Sequence, residues 1–320
     1  MMEVKSVHAD ALRRFLIDTD TASDDAVALL MALRYPVIEI EAITVVAGNV
    51  PVEQGTQNAL YTVELAGKRV PVHMGLAKPL LRPLESAEWV HGQDGMGDIG
   101  LPLSGKTPAP GHAVDVIIDT LKRHPGEVTV VTLGPLTNLA AALIREPGIA
   151  KLPKEVIMMA GTGQGPGNVT PLAEYNVWVD PEAAKIVFAS GMPLKLVGWD
   201  VSRGYAVITP EEAQAIRAID TPYARFVVDI QAALSRFCRT VTRLEGFNLP
   251  DPITVAIALE PEIATVSRRL FVDVELGGEW GRGQTVVDHL GVTGRDPNVE
   301  VVLQADRRRF LDLLRRSVQD

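Results

Sequence analysis

Apolar and polar positions along the chain repeat one order: a β-branched run, a turn bearing Gly or Asp, then a run of helix formers. Phe15-Leu16-Ile17 opens the series as a strand, and the good helix formers Ala26 to Leu33 follow it. Residues 37–47 make a second strand that stops at Gly48-Asn49, and 53–66 read as a helix closed by Gly67. The same reading predicts strands over 70–75, 127–133, 155–160 and 194–197. Helices are expected over 112–123, 136–145, 180–189, 210–219, 222–238, 251–259 and 306–317, with later strands over 269–276 and 298–303. Pro181 and Pro252 are expected at first helical positions, where a missing N–H costs nothing. Residues 76–110, rich in Gly and Pro, carry no periodic element, and irregular segments of that length are usually functional or mobile. Strands alternating with helices predict an α/β domain whose mostly parallel sheet is covered on both faces. Residues 14–320 read as one domain behind a frayed tail over 1–13.

Composition narrows the function classes. The 320 residues are 47% hydrophobic, ample for a large core. A net charge of −9 without a dense basic patch argues against a nucleic-acid surface. The arginines at 307–309 and 315–316 lie in the closing helix, as a solvated face. No run of about 18 apolar residues is present, so no membrane span is expected. Residues 1–13 lack a signal-peptide core. The lone Cys238 excludes an internal disulfide and suits a reducing compartment, so the cytoplasm is the expected location.

The turn after the first strand changes the picture most. It places Asp18, Asp20, Asp24 and Asp25 within eight residues. Like charges so close repel and resist ionisation, and a hard cation with oxygen ligands removes that cost. Asp24 and Asp25 also enter the first helical turn, where the dipole favours anions. Three other readings stand beside this one. The cluster could be a solvated turn with Ser23 as helix cap. An EF-hand loop fails, because Ala22 and Leu29 occupy ligand positions. A Mg²⁺ phosphatase would use Asp18 of Asp18-x-Asp20 as nucleophile.

Other polar residues fall at matching places. Asn49, the Leu133-Gly134 turn, the 161–167 turn and Asp200 all follow strand ends, the edge where open α/β sheets bind ligands. Asn168, Glu174 and Asn176 add three hydrogen-bonding side chains in one short segment, suited to recognising the hydroxyls of a sugar. The alternative for that segment is a polar surface loop.

Together Asp18-Thr-Asp20-x-x-x-Asp24-Asp25-Ala, Val46-Ala-Gly-Asn49, Gly134-Pro-Leu-Thr-Asn138, Asn168-Val-Thr-Pro-Leu-Ala-Glu174-Tyr-Asn176 and Asp251-Pro252 resemble the inosine–uridine preferring nucleoside hydrolases, in the same order from about residue 14 to 304. The resemblance implies a single Rossmann-like α/β domain around a mixed, mostly parallel sheet, and a tightly bound Ca²⁺ ion. By position, Asp20, Asp25, Asp251 and the Leu133 carbonyl would ligate the metal. Asp24, Asn49, Asn176 and Asp251 would hold the ribose 2′ and 3′ hydroxyls, with Asn168 and Glu174 at the 5′ hydroxyl. Asp18 would support the acidic turn. Asp20 would act as general base in hydrolysis of a ribonucleoside to ribose and a free base. The resemblance also implies a homo-oligomer, a dimer or tetramer.

The chain departs from the family where many members carry His before the last Asp, because Pro250 stands there. His91 matches a loop histidine of the family and is the remaining candidate acid; the alternatives are that it only stacks on or bonds the base, and that the base departs with little help. Tyrosines that contact the base in some members are replaced near Leu234 and Cys238. Competing with the hydrolase are the Mg²⁺ phosphatase and a non-catalytic protein that only holds a ribose or nucleoside.

Overall fold

A computed structural model describes residues 12–320, so most of the tail expected over 1–13 lies outside the described residues. Arg13 already belongs to the first strand. The chain runs through β1 (Arg13–Thr19), α1 (Ser23–Arg34), β2 (Ile38–Val45), α2 (Val52–Leu65), β3 (Val72–Met74), α3 (Glu88–His91), α4 (Ala113–Arg123), β4 (Val128–Thr132) and α5 (Thr137–Arg145). It continues through β5 (Glu155–Met159), α6 (Tyr175–Val179), α7 (Pro181–Phe188), β6 (Leu194–Val197), α8 (Trp199–Tyr205), β7 (Val207–Ile208), α9 (Pro210–Arg217), α10 (Pro222–Asp229) and α11 (Ala232–Phe237). It ends with β8 (Phe247–Asn248), α12 (Pro250–Leu259), β9 (Ala264–Val274), β10 (Thr285–Asp288), β11 (Val299–Ala305) and α13 (Arg307–Ser317).

The main sheet has the order β10-β9-β11-β6-β5-β4-β1-β2-β3. From β11 to β3 every pairing is parallel, and β9 and β10 extend one edge antiparallel. A parallel strand buried on both faces reads as a continuous apolar run, with its side chains alternating between two cores. Phe15 and Ile17 enter one core and Leu16 the other; Ile157 and Met159 likewise oppose Val156 and Met158. No helix among the described residues is long and apolar enough to cross a membrane.

Four expected boundaries change. The helix expected over 222–238 is interrupted at Ile230-Gln231, then ends in a π-turn over Cys238–Thr242. The strand expected from 269 begins at Ala264, and α3 occupies part of the irregular 76–110 segment. The helix expected from Asp251 begins at Pro250, which takes the first position assigned to Pro252. The short elements β7, β8, β10, α6 and α8 were not expected.

Two helices carry the acidic residues to one place. In α1 every residue from Ser23 to Leu33 is buried, and in α12 every residue from Asp251 to Leu259. The two pack side by side. Both start near the C-terminal edge of the parallel strands and carry carboxylates in their first turns.

Candidate active site

The acidic turn is built by its own backbone. Ala22 caps α1 and has no side chain to offer, so Asp25 supplies the acceptors. Its Oδ2 accepts from the Ala22 N–H at 2.9 Å, and its Oδ1 from the Thr19 hydroxyl at 2.6 Å. Ser23, the expected cap, instead pairs its hydroxyl with His91 Nδ1 at 2.9 Å. Asp20 is held from the turn after β2: its Oδ2 accepts from the Asn49 N–H at 2.7 Å. Gly48 and Gly134 flank this carboxylate. A Cβ at 48 would lie 2.1 Å from Asp20 Oδ2, and one at 134 would lie 2.7 Å from Oδ1. Both glycines were legible as residues after strand ends; that they clear space for Asp20 was not.

Asp18 sits deeper, fully buried in β1, with Oδ1 accepting from Thr44 Oγ1 at 2.6 Å and Asn138 Nδ2 at 2.8 Å. It supports the turn and does not line the cleft.

Asp24, Asp25 and Asp251 each bring a carboxylate oxygen within 4.8 Å of the others. Asp20 stands beside this trio rather than within it. Burial is the largest cause that lifts all four carboxyls above the usual range, and neighbouring charge adds to it for Asp20, Asp25 and Asp251. Asp20 Oδ1 and Asp24 Oδ1 are buried without a hydrogen-bond partner among the described residues. Buried carboxylates that crowd together and leave oxygens unpaired fit a hard divalent cation, which takes such oxygens as ligands. The Leu133 carbonyl accepts from Asn176 Nδ2 at 2.8 Å and keeps a second lone pair.

Above this cluster lies a cleft of about 620 Å³. Asp24, Asn49, His91, Leu133, Asn168, Glu174, Asn176, Pro250 and Asp251 line it, so one cavity gathers most of the residues singled out from sequence. Asp20 and Asp25 are fully buried beneath and do not form its wall. Glu174 caps α6. Its Oε1 accepts from the Asn176 N–H at 2.8 Å, its Oε2 from the Gly161 N–H at 2.6 Å, and burial pushes its carboxyl up to about 7. Asn168 Oδ1 accepts from the Tyr175 N–H at 2.9 Å, leaving its amide NH₂ free to donate. His91 is pushed down to about 4, because burial outweighs the attraction of Asp25. It is therefore neutral near pH 7.

Sequence reasoning missed the apolar wall. Trp89 and Phe237 meet edge to face, ring centroids 5.1 Å apart, and Val90, Leu234, Trp199 and Met159 complete it. Nothing in the linear pattern brings α3 to α11. Of the two positions expected to replace base-contacting tyrosines, Leu234 lines the cleft. Cys238 is buried behind it, with its thiol 3.4 Å from Asn248 Oδ1.

This arrangement has counterparts among known proteins. The sequence pattern of the family described as inosine-uridine preferring nucleoside hydrolase matches residues 15–312. The pyrimidine-specific ribonucleoside hydrolase RihA of Salmonella agona (strain SL483) is 40% identical over 307 residues, spanning 95% of this chain and 97% of that protein. A plant nucleoside hydrolase, PpNRh1, superposes with a TM-score of 0.91 at 32% identity, over 96% of this chain and 99% of its own. The purine-preferring ribonucleoside hydrolase from Gardnerella vaginalis gives 0.88 at 32% identity, over 96% and 98%.

Proposed function

Because this chain belongs to the inosine-uridine preferring nucleoside hydrolase family, and is thus an enzyme acting on the N-glycosidic bond of ribonucleosides, we propose that its acidic cluster holds Ca²⁺ and that Asp20 is the general base. The observation that carries this proposal is the meeting of four buried, charge-crowded carboxylates at the floor of one cleft. Asp20, Asp25, Asp251 and the Leu133 carbonyl would hold the ion, and Asp24 stands close enough to share it. When bound, the ion would supply Lewis-acid charge that fixes a water against the sugar.

The chain's own groups do the rest. Asp20 Oδ1 has no partner and takes the attacking water's proton. Asn49, Asn176, Asp24 and Asp251 hold the vicinal 2′ and 3′ hydroxyls, while Glu174 and Asn168 hold the 5′ hydroxyl. As the glycosidic bond lengthens, the surrounding carboxylates meet the positive charge spreading over the ribose ring. Trp89, Phe237 and Leu234 offer the leaving base an apolar, aromatic wall. If the Ser23 hydroxyl donates to Nδ1, the His91 hydrogen sits on Nε2, and the neutral ring can donate a hydrogen bond to the departing base.

The experiment is reducing-sugar release from a panel of purine and pyrimidine ribonucleosides, with chelated and Ca²⁺-reloaded protein. Release that depends on Ca²⁺ is expected. Equal turnover after verified metal removal would reject the metal assignment, and no release from any member would reject the substrate class.

A further inference from the structure

The segment leaving β5 is irregular, yet the N–H groups of residues 161–164 and the carbonyls of 161–163 are all held. The Gly161 N–H donates to Glu174 Oε2 at 2.6 Å, and the Gly161 carbonyl accepts from the Trp199 N–H at 2.9 Å. Thr285 Oγ1 takes both polar groups of Thr162, accepting from its N–H at 2.9 Å and donating to its carbonyl at 2.8 Å. The Gly163 N–H donates to Asp200 Oδ1 at 2.7 Å, and the Gln164 N–H to Oδ2 at 3.3 Å. The Gly163 carbonyl lies 2.8 Å from His289 Nε2, which must carry the hydrogen because a carbonyl only accepts. The backbone fits closely as well. A Cβ at Gly161, where φ is +56°, would lie 2.2 Å from Thr285 Cγ2, and one at Gly165 would lie 2.5 Å from Asp200 Cβ.

These holders come from the start of α8, next to Trp199 of the cleft wall, and from the edge of the sheet, which otherwise has no part in the site. Asp200 lies in the first turn of α8, and Thr285 and His289 lie in and just after β10, the antiparallel strand at the sheet's edge. The segment they hold leads directly to Asn168 and Glu174. It also receives Glu174 back through the Gly161 N–H. Side chains fixed by a supporting layer hold their geometry far better than side chains on a free loop.

We propose that Thr285, Asp200 and His289 are positioning residues for the ribose 5′ subsite: they fix residues 161–164 and so set Glu174 and Asn168 against the substrate. The proposal rests on the assignment of Glu174 and Asn168 to the 5′ hydroxyl. On it, the β9–β10 extension acts as a strut for the cleft rather than as sheet alone.

The test compares kcat/KM for the best ribonucleoside substrate and for its 5′-deoxy counterpart, in wild type, Glu174→Gln, Thr285→Val, Thr285→Ser and Asp200→Asn. Wild type should favour the hydroxylated substrate. Thr285→Val keeps the shape but leaves both polar groups of Thr162 unpaired. Asp200→Asn leaves one acceptor facing two N–H donors. Each should cut the wild-type preference by about tenfold, while turnover of the 5′-deoxy substrate changes by less than about threefold. Thr285→Ser restores the hydroxyl and should restore the preference. Equal losses on both substrates, or no rescue by serine, would overturn the proposal. If Glu174→Gln abolishes the preference but Thr285→Val and Asp200→Asn keep it in full, the strut fails and the 5′ assignment stands. If wild type shows no preference, the 5′ assignment fails and the strut fails with it.

Discussion

Stripping divalent cations from the protein should expose the cost of crowding Asp20, Asp24, Asp25 and Asp251 into one buried cluster. In the metal-free chain burial is the main cause that holds Asp24 and Asp25 at about 6, against an ordinary 3.8. A carboxyl raised on folding binds its proton more tightly in the folded state. Between about pH 4 and pH 6 the folded protein therefore holds more protons than the unfolded chain, and stability falls as pH rises through that window. One pKa unit is worth about 1.4 kcal/mol, so a shift of two units costs roughly 3 kcal/mol for one such group near pH 7. Because these carboxyls titrate together, the cluster's total is not a sum of independent terms.

A bound cation keeps the carboxylates ionised without that cost, so metal-loaded and metal-free protein should diverge as pH rises. The assay is thermal unfolding of protein stripped by chelation and desalted, with and without excess Ca²⁺, from pH 5 to pH 7.5. At roughly 2 °C per kcal/mol, a loss of about 3 kcal/mol is a gap of some 5 °C at pH 7.5, closing towards pH 5. Asp18 and Glu174, held up at about 7, enter both curves with the same sign as the cluster. His91, pushed down to about 4, enters both with the opposite sign, and the gap isolates the cluster. A gap of equal size at both ends of the range, or no effect of Ca²⁺ at pH 7.5, would refute the reasoning.

Asp20→Asn should lower kcat by more than the roughly 10²–10⁴-fold attributed to a general base, since the carboxylate is also a proposed ligand; near-normal kcat with metal bound would remove Asp20 from that role. Gly48→Ala should be nearly as harmful to kcat, because its Cβ would displace the Asp20 carboxylate from a position 2.1 Å away; unchanged kinetics would show that the clasp yields easily. His91→Ala should lower hydrolysis of inosine strongly and spare p-nitrophenyl riboside, whose leaving group needs no proton; equal effects on both would make His91 a contact rather than a donor. Asp180→Ala should cost roughly 1–3 kcal/mol in denaturant unfolding, since it leaves the Thr137 hydroxyl and the Leu80 and Ala183 N–H groups without their acceptor; a smaller loss would mean that water replaces the carboxylate.

The parallel core was legible because its strands are buried on both faces. Residues 15–17 and 128–132 read as unbroken apolar or β-branched runs, which few other structures produce. The acidic turn was legible for a chemical reason: four carboxylates so close call for a counter-charge. The edge of the sheet was not. Thr285-Val-Val-Asp288 is short, pairs on one side only, and buries Thr285 for its hydroxyl rather than for packing. The interruption at Ile230-Gln231 was hidden for a related reason. Local propensity favours a continuous helix there, but the fold brings Gly97 so near the Ile230 carbonyl that a Cβ would lie 2.6 Å away. Gln231 Nε2 also donates to the Ser23 carbonyl at 2.9 Å. Both contacts are long-range: the first ties the loop after α3 to the junction of α10 and α11, and the second ties that junction to the acidic turn.

Pro250 shows the two kinds of information meeting at one residue. In sequence it is a departure, a group that cannot titrate where many relatives carry histidine. In the fold it is the first residue of α12, where its missing N–H would have had no helical partner. It therefore costs the helix nothing, and it sets Asp251 one position into the first turn, facing Asp24 and Asp25. The carboxylate cluster needs only that placement, and proline supplies it as well as histidine would. What changes is the polarity of the cleft above. With carbon at position 250, His91 is the one titratable cation-former among the residues lining the cleft, and burial keeps it neutral. On the proposed chemistry, help to the leaving base would then come as a hydrogen bond from a neutral donor, and the rate should depend on how readily the base itself carries negative charge.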